Sequence, residues 1–445
     1  MKRILLVVVV VAISISCTPQ KSEKEQLAEQ VKQEFLHAWN GYKKHAWGDD
    51  ALLPLSKSSK NWYDSSLLMT PVDAFDTMLL MGLDEEAERA KQLIFSELSF
   101  DHDFYVSNFE ITIRMLGGLL SAYEMDGDER FLTLAEDLGK RLLPAFNSAT
   151  GMTYGRVNLK TGETNYQVNN PAEIGTLMIE FGTLTKHTQD SVYYKSAKKA
   201  MMALYERRSE IDLVGTSIDV ETGEWQNKEA HISGMIDSYY EYALKSWLLF
   251  GDEDFKKIWK THEPALDKYL LDDVATGTWY GRANMDTGER TATTYGALDA
   301  FMPGVLVLAG DIETAKKVQE SNFKMWQLHG IEPEGLNYVD MEVTSAGYPL
   351  RPENIESAYY LYKATGDEKY LEMGKVMFQS LVEYCKTEDG YAALSDVTTK
   401  ERSDDMESFF LAETLKYAYL LFADDSVFDL DKHVFNTEAH PMRID

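Results

Sequence analysis

Long stretches of the chain repeat apolar residues with helical spacing, for example at 237–250 and at 406–422. Three helical stretches end at a Gly-Asp pair, and these pairs are Gly127-Asp128, Gly251-Asp252 and Gly366-Asp367. Glycine commonly ends a helix in the left-handed conformation, and aspartate commonly caps the start of the next helix. The pattern therefore predicts helices joined in sequence by very tight turns.

Shorter segments with a Thr-Gly-Glu signature lie between the helical stretches and predict β-hairpins. The signature occurs at 161–163, 222–224 and 287–289, so successive copies are 61 and 65 residues apart. At that spacing the chain holds about seven units, and units that cannot bury their faces alone must stack or close on one another. We predict an all-α fold of seven helix hairpins closed into a ring, with short β-hairpins at one mouth. An open helical solenoid is the alternative.

The N-terminus reads as an export signal. Lys2 and Arg3 precede an apolar run at 4–13, which is too short to span a bilayer of ~30 Å permanently. Cys17 follows small residues and resembles the acylated cysteine of bacterial lipoproteins, whereas a plain signal peptide is the alternative. We predict a signal peptide at 1–16, a lipid-anchored polar tether at 17–30 and one catalytic barrel at 31–445. The protein would then be exported, in the periplasm or at the cell surface.

The composition of the chain excludes several classes of function. The 445 residues carry a formal net charge of −29, which argues against a nucleic-acid partner. The two cysteines exclude a disulfide framework, and Cys385 lies in a helical pattern as a predicted core residue. Motifs of P-loop, Rossmann, nucleophile-elbow and zinc-protease type are absent from the sequence.

Several carboxylates stand inside otherwise apolar helical stretches. Glu110 and Arg114 are four residues apart, and Glu353 and Glu356 are three apart, so each pair shares one helical face. Other carboxylates inside apolar helical stretches are Asp73 with Asp76, Asp237, and Glu407 with Glu413. A buried carboxylate is costly unless it is paired, hydrogen-bonded or protonated. Inward carboxylates beside aromatics and arginines suit a polyol ligand, and glycosidic cleavage needs two carboxylates with separated pKa values.

At these residues the chain resembles glycoside hydrolase family 47, the class I α-mannosidases. The resembling stretches are 39–54, 68–83, 109–123, 237–244, 350–362, 406–422 and 434–441. The resemblance implies an (α/α)7 barrel and calcium-assisted, inverting exo-hydrolysis of terminal α-1,2-linked mannose from mannose-rich oligosaccharides. We also predict that the protein touches a membrane only through its lipid anchor and that it acts as a monomer.

The resemblance also implies residue roles. Glu110 matches the general acid, Glu353 the general base and Asp237 a third acidic member of the catalytic set. Thr437, in the run Asn-Thr-Glu-Ala-His-Pro, matches the residue that binds Ca2+ through its carbonyl and hydroxyl oxygens. Residues matching those that hold the terminal mannose are Arg114, Glu173, Arg351, Glu356, Phe409, Glu413 and Glu438.

Two departures from the eukaryotic pattern limit what the resemblance implies. The usual His-Leu-x-Cys-Phe-x-Pro-Gly run is present without its His and Cys, as residues 297–304. Met235 stands where endoplasmic-reticulum members often carry Arg, so the preference for one glycan branch does not carry over. A non-catalytic lectin on the same barrel is the second hypothesis. A barrel enzyme acting on acidic polysaccharide is the third, and the negative net charge opposes it.

Overall fold

The computed structural model describes residues 21–444. The α-helices are α1 (Glu23–His45), α2 (Met69–Asp73), α3 (Phe75–Leu80), α4 (Asp84–Glu97), α5 (Asn108–Ile111), α6 (Gly117–Asp126), α7 (Glu129–Leu142), α8 (Pro171–Gly175), α9 (Met178–Thr188), α10 (Ser191–Tyr205), α11 (Asp237–Phe250), α12 (Glu253–Tyr269), α13 (Met302–Ala309), α14 (Ile312–His329), α15 (Glu353–Thr365), α16 (Glu368–Cys385) and α17 (Leu415–Phe422). Two π-helical segments occupy Thr112–Leu116 and Phe410–Thr414, and 3-10 turns occupy Leu143–Phe146, Leu298–Phe301 and Leu430–Lys432. Within residues 21–444, each helix is too short or too polar to span a bilayer.

The helices form seven antiparallel hairpins that close into a ring. The hairpins are α3/α4, α6/α7, α9/α10, α11/α12, α13/α14, α15/α16 and α17/α1. The first helix of each hairpin packs against the first helix of the next, and the π-helical segment before α17 packs against α3. Because the N-terminal helix α1 packs against the C-terminal helix α17, the ring is closed by the two ends of the chain. The (α/α)7 barrel prediction is confirmed, and the open solenoid is excluded.

The two ends of the barrel differ. At one end every inner helix except α17 passes to its outer partner through a short turn, such as Gly127 (φ +83°) followed by the N-cap Asp128. At the other end the return to the next inner helix runs through short antiparallel strands. These are β1 (Ala51–Leu53), β2 (Ser58–Lys60), β3 (Tyr105–Ser107), β4 (Arg156–Asn158), β5 (Thr164–Asn165), β6 (Val168–Asn169), β7 (Ser217–Asp219), β8 (Trp225–Asn227), β9 (Glu229–Ala230), β10 (Leu271–Val274), β11 (Gly277–Tyr280), β12 (Arg282–Asn284), β13 (Arg290–Ala292), β14 (Thr294–Gly296), β15 (Gly335–Asn337), β16 (Glu342–Ser345), β17 (Lys386–Thr387), β18 (Gly390–Tyr391), β19 (Leu394–Asp396) and β20 (Glu401–Arg402). The Thr-Gly-Glu signatures form the turns of β4–β5, β7–β8 and β12–β13, as predicted.

A last hairpin plugs the barrel. Strands β21 (His433–Phe435) and β22 (Pro441–Arg443) pair antiparallel, and Arg443 is bound at the end where the inner helices finish. There its N–H donates to Glu124 (2.7 Å) and its carbonyl accepts from Lys186 (2.8 Å). Asn436, at the tip of the hairpin, is fully buried inside the ring. The hairpin therefore closes one end, and access is left only at the end with the other strands.

Within the predicted tether at 17–30, residues 23–30 form the start of α1, which begins at Glu23. Ser22 and Glu25 form a reciprocal capping box, and Ala28 packs into the core. The polar appearance of this segment comes from the exposed face of an amphipathic helix. Cys17 and the predicted signal peptide lie outside the described residues. Cys385 is fully buried, as predicted.

Gly41 allows α1 to complete the ring. A Cβ at this position would stand 2.1 Å from the main-chain carbonyl oxygen of Asp389, in the turn between β17 and β18. Because backbone cannot move aside like a side chain, we expect Gly41→Ala to lower the free energy of unfolding by about 1–3 kcal/mol. Urea unfolding would measure this loss, with the exposed Gln33→Ala on the same helix as control. A Gly41→Ala protein as stable as that control would contradict this packing.

Candidate active site

A cavity of about 360 Å³ lies on the barrel axis, at the open end. All eleven residues predicted for catalysis, mannose binding and calcium line it. They are Glu110, Arg114, Glu173, Asp237, Arg351, Glu353, Glu356, Phe409, Glu413, Thr437 and Glu438. These positions span more than 300 residues of sequence, and the ring brings them together.

The acidic residues enter the cavity from the starts of the inner helices. Glu110, Glu173, Asp237 and Glu353 each lie in the first turn of a helix, in α5, α8, α11 and α15 respectively. The partial positive charge of a helix N-terminus favours carboxylates at such positions. The ring therefore directs several helix N-termini at one polar cavity. This arrangement offsets part of the repulsion between carboxylates that lie close together.

Arg114 ties one wall of the cavity to its floor. Its Nε donates to Glu110 Oε2 (3.0 Å), and its Nη1 donates to Glu438 and lies 3.6 Å from Asp73. The predicted pairing of Glu110 with Arg114 is confirmed. Arg114 lies in a π-helical segment, in which the local widening shifts the side-chain direction from that of an α-helix. The general-acid candidate is thereby held in a fixed orientation.

Two guanidinium groups lie close to the ring of Phe409. The Arg114 group is 5.6 Å and the Arg351 group 5.9 Å from the centre of its ring. Arg351 is itself fixed by two hydrogen bonds to Glu334, at 2.8 and 3.0 Å. A ring held in this way offers a rigid apolar surface to the C–H face of a sugar in an otherwise polar cavity.

Burial raises the pKa of most cavity carboxyls. It raises the pKa of Glu353 to about 7, against the opposing charge of Arg351. It raises the pKa of Asp237 to about 8, and nearby Glu241, Asp299 and Glu353 add to the shift. The pKa values of Glu173, Glu356, Glu413 and Glu438 are also raised, with burial as the largest cause. The cavity therefore holds proton donors and acceptors that change charge near neutral pH.

One oxygen of Glu353 stands out. Its Oε2 is buried and, among residues 21–444, has no hydrogen-bond partner. An unpaired buried carboxylate oxygen costs free energy unless a water or a ligand binds it. Because Glu353 lines the cavity, a molecule that enters would lie close to this carboxyl group.

Sequence reasoning missed Glu241. This residue lines the cavity and forms a buried ion pair with Lys245, four residues further along α11. Its spacing was a usable signal, because Glu241 follows Asp237 by four positions and so shares its helical face. The lining holds eight carboxylates against two guanidinium groups, so it carries a strong excess of acidic groups.

The floor of the cavity is the tip of the plugging hairpin. Thr437 N–H donates to Tyr242 Oη (3.3 Å), and Asn436 Nδ2 donates to the Ile113 carbonyl (2.9 Å) and to Glu180 (2.8 Å). These contacts fix the main chain at Thr437 and place this residue at the end of the cavity. Between residues 21 and 444, no cluster of three or more His, Cys, Asp or Glu side chains is arranged to hold a metal ion.

Comparison with known proteins agrees with this architecture. A sequence profile described as Glycosyl hydrolase family 47 matches residues 34–444. Alpha-mannosidase I MNS4 of Arabidopsis thaliana is 40% identical over 445 residues, covering 95% of this chain and 70% of that protein. Mannosyl-oligosaccharide 1,2-alpha-mannosidase MNS1 of the same plant is 35% identical over 453 residues, covering 96% and 80%. The solved alpha-1,2-mannosidase from Trichoderma reesei superposes with a TM-score of 0.88 at 30% identity, covering 95% of this chain and 99% of that one. The chain belongs to glycosyl hydrolase family 47 and is a glycoside hydrolase of the α-mannosidase type.

Proposed function

We propose that the protein removes terminal α-1,2-linked mannose from mannose-rich oligosaccharides, with inversion and with calcium. The observation that carries this proposal is the cavity, which is open at one end, closed by the C-terminal hairpin and lined by eight carboxylates. Because the floor is closed, only the end of a glycan can enter, which favours exo-action. The named α-1,2-mannosidases among the similar proteins support the linkage and the sugar.

In the proposed reaction, Glu110 donates a proton to the glycosidic oxygen as the bond to the anomeric carbon breaks. Glu353 takes a proton from the water that attacks that carbon from the opposite face. The unpartnered Oε2 of Glu353 supports this role, because a base needs a free oxygen for the water. Asp237 lines the same cavity, and its raised pKa lets it hold a proton near neutral pH. Phe409 provides the apolar surface for the sugar ring.

The donor set at the floor fits calcium. Calcium takes six to eight oxygen ligands, and Thr437 can offer a carbonyl and a hydroxyl oxygen there. The excess of carboxylates in the lining favours a divalent cation electrostatically, and neither His nor Cys is among the residues that line the cavity. When bound, calcium would supply a hard cation that orients sugar hydroxyls and the attacking water.

A chelation experiment tests the activity, the stereochemistry and the metal. With α-1,2-mannobiose and calcium, proton NMR should show β-mannose as the first product, and EDTA should abolish its release. Calcium should also raise the Tm of the EDTA-treated protein, because a ligand that binds only the native state stabilises it. Mannobiose that binds without being cleaved would favour the lectin hypothesis. Release that is unaffected by EDTA would contradict the calcium site.

We also propose that the protein is exported and tethered by an acyl group on Cys17. The charged and apolar residues that precede Cys17 support this proposal. An anchor there would keep the enzyme and the released mannose close to the cell. Metabolic labelling with a fatty-acid probe should mark the wild-type protein, and Cys17→Ser should lose the label. Labelling that persists in Cys17→Ser would contradict the proposal.

A further inference from the structure

Tyr166 is an exposed aromatic residue at the open end of the barrel. It follows β5, and 61% of its surface is exposed, the largest fraction among the exposed large hydrophobic residues of the described chain. Its backbone is in the left-handed region, with φ at +62°. That conformation is unfavourable for a bulky residue and tends to persist where function requires it. Neither burial nor backbone preference therefore explains a tyrosine here.

Arg156 holds the Tyr166 ring from one side. Its guanidinium carbon lies 4.8 Å from the centre of the ring. Among residues 21–444 the Arg156 side chain has no hydrogen-bond or ion-pair partner, and its charge acts only at longer range on Glu173, where it opposes the rise in that carboxyl's pKa. A guanidinium group has five N–H donors, and those of Arg156 are therefore left for another molecule. The pair combines a fixed aromatic face with free hydrogen-bond donors.

The pair is connected directly to the cavity wall through Gly155. Gly155 N–H donates to the Tyr166 carbonyl (3.1 Å), and the Gly155 carbonyl accepts from Asn108 N–H (3.0 Å), just before Phe109 and Glu110. A Cβ on Gly155 would stand 3.1 Å from Tyr166 Cβ and 3.2 Å from Glu173 Oε2. Tyr166 thus lies immediately outside the lining, on the side of Glu110 and Glu173.

A closed floor has a consequence for the rest of the substrate. The terminal sugar occupies the cavity, so the sugars that follow the scissile bond must leave through the open end, next to Tyr166 and Arg156. An aromatic face suits the C–H side of a sugar, and free N–H groups suit its hydroxyls. Both features of the pair therefore match a neutral oligosaccharide.

We propose that Tyr166 and Arg156 form an outer subsite that binds sugars of the glycan beyond the two that flank the scissile bond. This inference rests on the proposed function, because it takes the glycan end to lie in the cavity. The subsite makes longer oligosaccharides better substrates than the disaccharide. It acts on binding and leaves the chemical step to the cavity residues.

The test compares two substrates in one set of variants. Tyr166→Asn removes the ring with a residue that tolerates the left-handed backbone, and Arg156→Gln removes the cation. For a mannose-rich N-glycan we expect kcat/KM to fall roughly three- to tenfold in Tyr166→Asn, mainly through KM. For α-1,2-mannobiose we expect a change below about twofold. Trp47→Ala, which removes an aromatic residue that is 40% exposed and does not line the cavity, should leave kcat/KM for both substrates unchanged.

If Tyr166→Asn lowered kcat/KM equally on both substrates, or lowered it on neither, the proposed subsite would be overturned. Wild-type cleavage of mannobiose reports on the proposed function independently, since it does not depend on Tyr166. If the wild-type protein cleaves neither substrate, calorimetry on the same N-glycan decides the question. Affinity that is weaker in Tyr166→Asn than in the wild type would support the subsite, and equal affinity would overturn it.

Discussion

Glu353→Gln is expected to lower kcat on α-1,2-mannobiose by about 10²–10⁴-fold, the usual contribution of a general base. Glutamine has nearly the same shape but cannot take a proton from water. Arg351 and Phe409 still form the wall beside it, so KM and calcium binding should change little. Steady-state kinetics would give kcat and KM separately, and the Tm with and without calcium would report on metal binding.

Two measurements distinguish a base from a residue that only supports the fold. Azide needs no base, so it should restore turnover to Glu353→Gln and give β-mannosyl azide, the product of attack with inversion. Glu97→Gln, on the exposed end of α4, should behave like the wild type. A Glu353→Gln enzyme that retains near-wild-type kcat, or that azide does not rescue, would refute the assignment of Glu353 as base.

The pH dependence follows from the same residue. Burial raises the pKa of Glu353 to about 7, and a base works only when it is ionised. The kcat/KM of the wild type should therefore rise with pH through this region, and the azide reaction of Glu353→Gln should lack this rise. A pH profile of kcat/KM from about pH 5 to 9 would show the difference. The same rise in the variant would assign this ionisation to another carboxyl of the cavity.

The fold could be predicted from the sequence because its junctions are local. A Gly-Asp pair after an apolar helical stretch predicts a left-handed residue that ends one helix and a cap that starts the next. Gly127, Gly251 and Gly366 all adopt the expected positive φ. The same rule applies to Gly310-Asp311, which sequence reasoning passed over. The junction before α10 was not predicted, because Gln189 occupies the left-handed position there instead of a glycine.

The sequence predicted which residues belong to the site, but it could not predict how they are arranged in space. Spacing identified Glu110 with Arg114 as one face, and the family resemblance contributed Glu173 and Thr437. Neither could show that the inner helices direct their N-termini at one cavity, because that depends on ring closure between α1 and α17. The π-helical segments around Arg114 and Glu413 were also missed, since their sequences are apolar enough to continue as an α-helix. The predicted helix at 406–422 is accordingly α-helical only from Leu415.

Replacing His440 with Ala is expected to lower the free energy of unfolding by about 3–5 kcal/mol, the usual cost of leaving a buried charge without its partner. His440 is fully buried between two aspartates, with Nδ1 2.7 Å from Asp76 and Nε2 3.0 Å from Asp73. Burial alone would raise the pKa of Asp76, but Lys416 and His440 lower it to about 2. Without the imidazole, Asp76 would keep Lys416 and Asp73 would keep Arg114, but each would lose its hydrogen bond on the side that the ring vacates. Urea unfolding at pH 6 would measure the loss, and His433→Ala, which removes a half-buried side chain from strand β21 of the same hairpin, is the control.

The sign of the pH dependence tests whether His440 acts as a cation. Burial would lower the pKa of His440, but Asp76 and Asp73 raise it above 6.5, so the native state holds this proton more tightly than the unfolded chain. The contribution of this proton to the free energy of unfolding is fully present below the unfolded-state pKa of about 6.5. It is lost as the pH rises through the pKa of His440 in the native state. The difference in unfolding free energy between wild type and His440→Ala should therefore be larger at pH 6 than at pH 9. A difference that stays constant over this range would mean that His440 stabilises the hairpin by packing alone. If the difference shrinks at high pH, the imidazolium is the link that anchors the cavity floor, and with it Thr437, to α2 and α3.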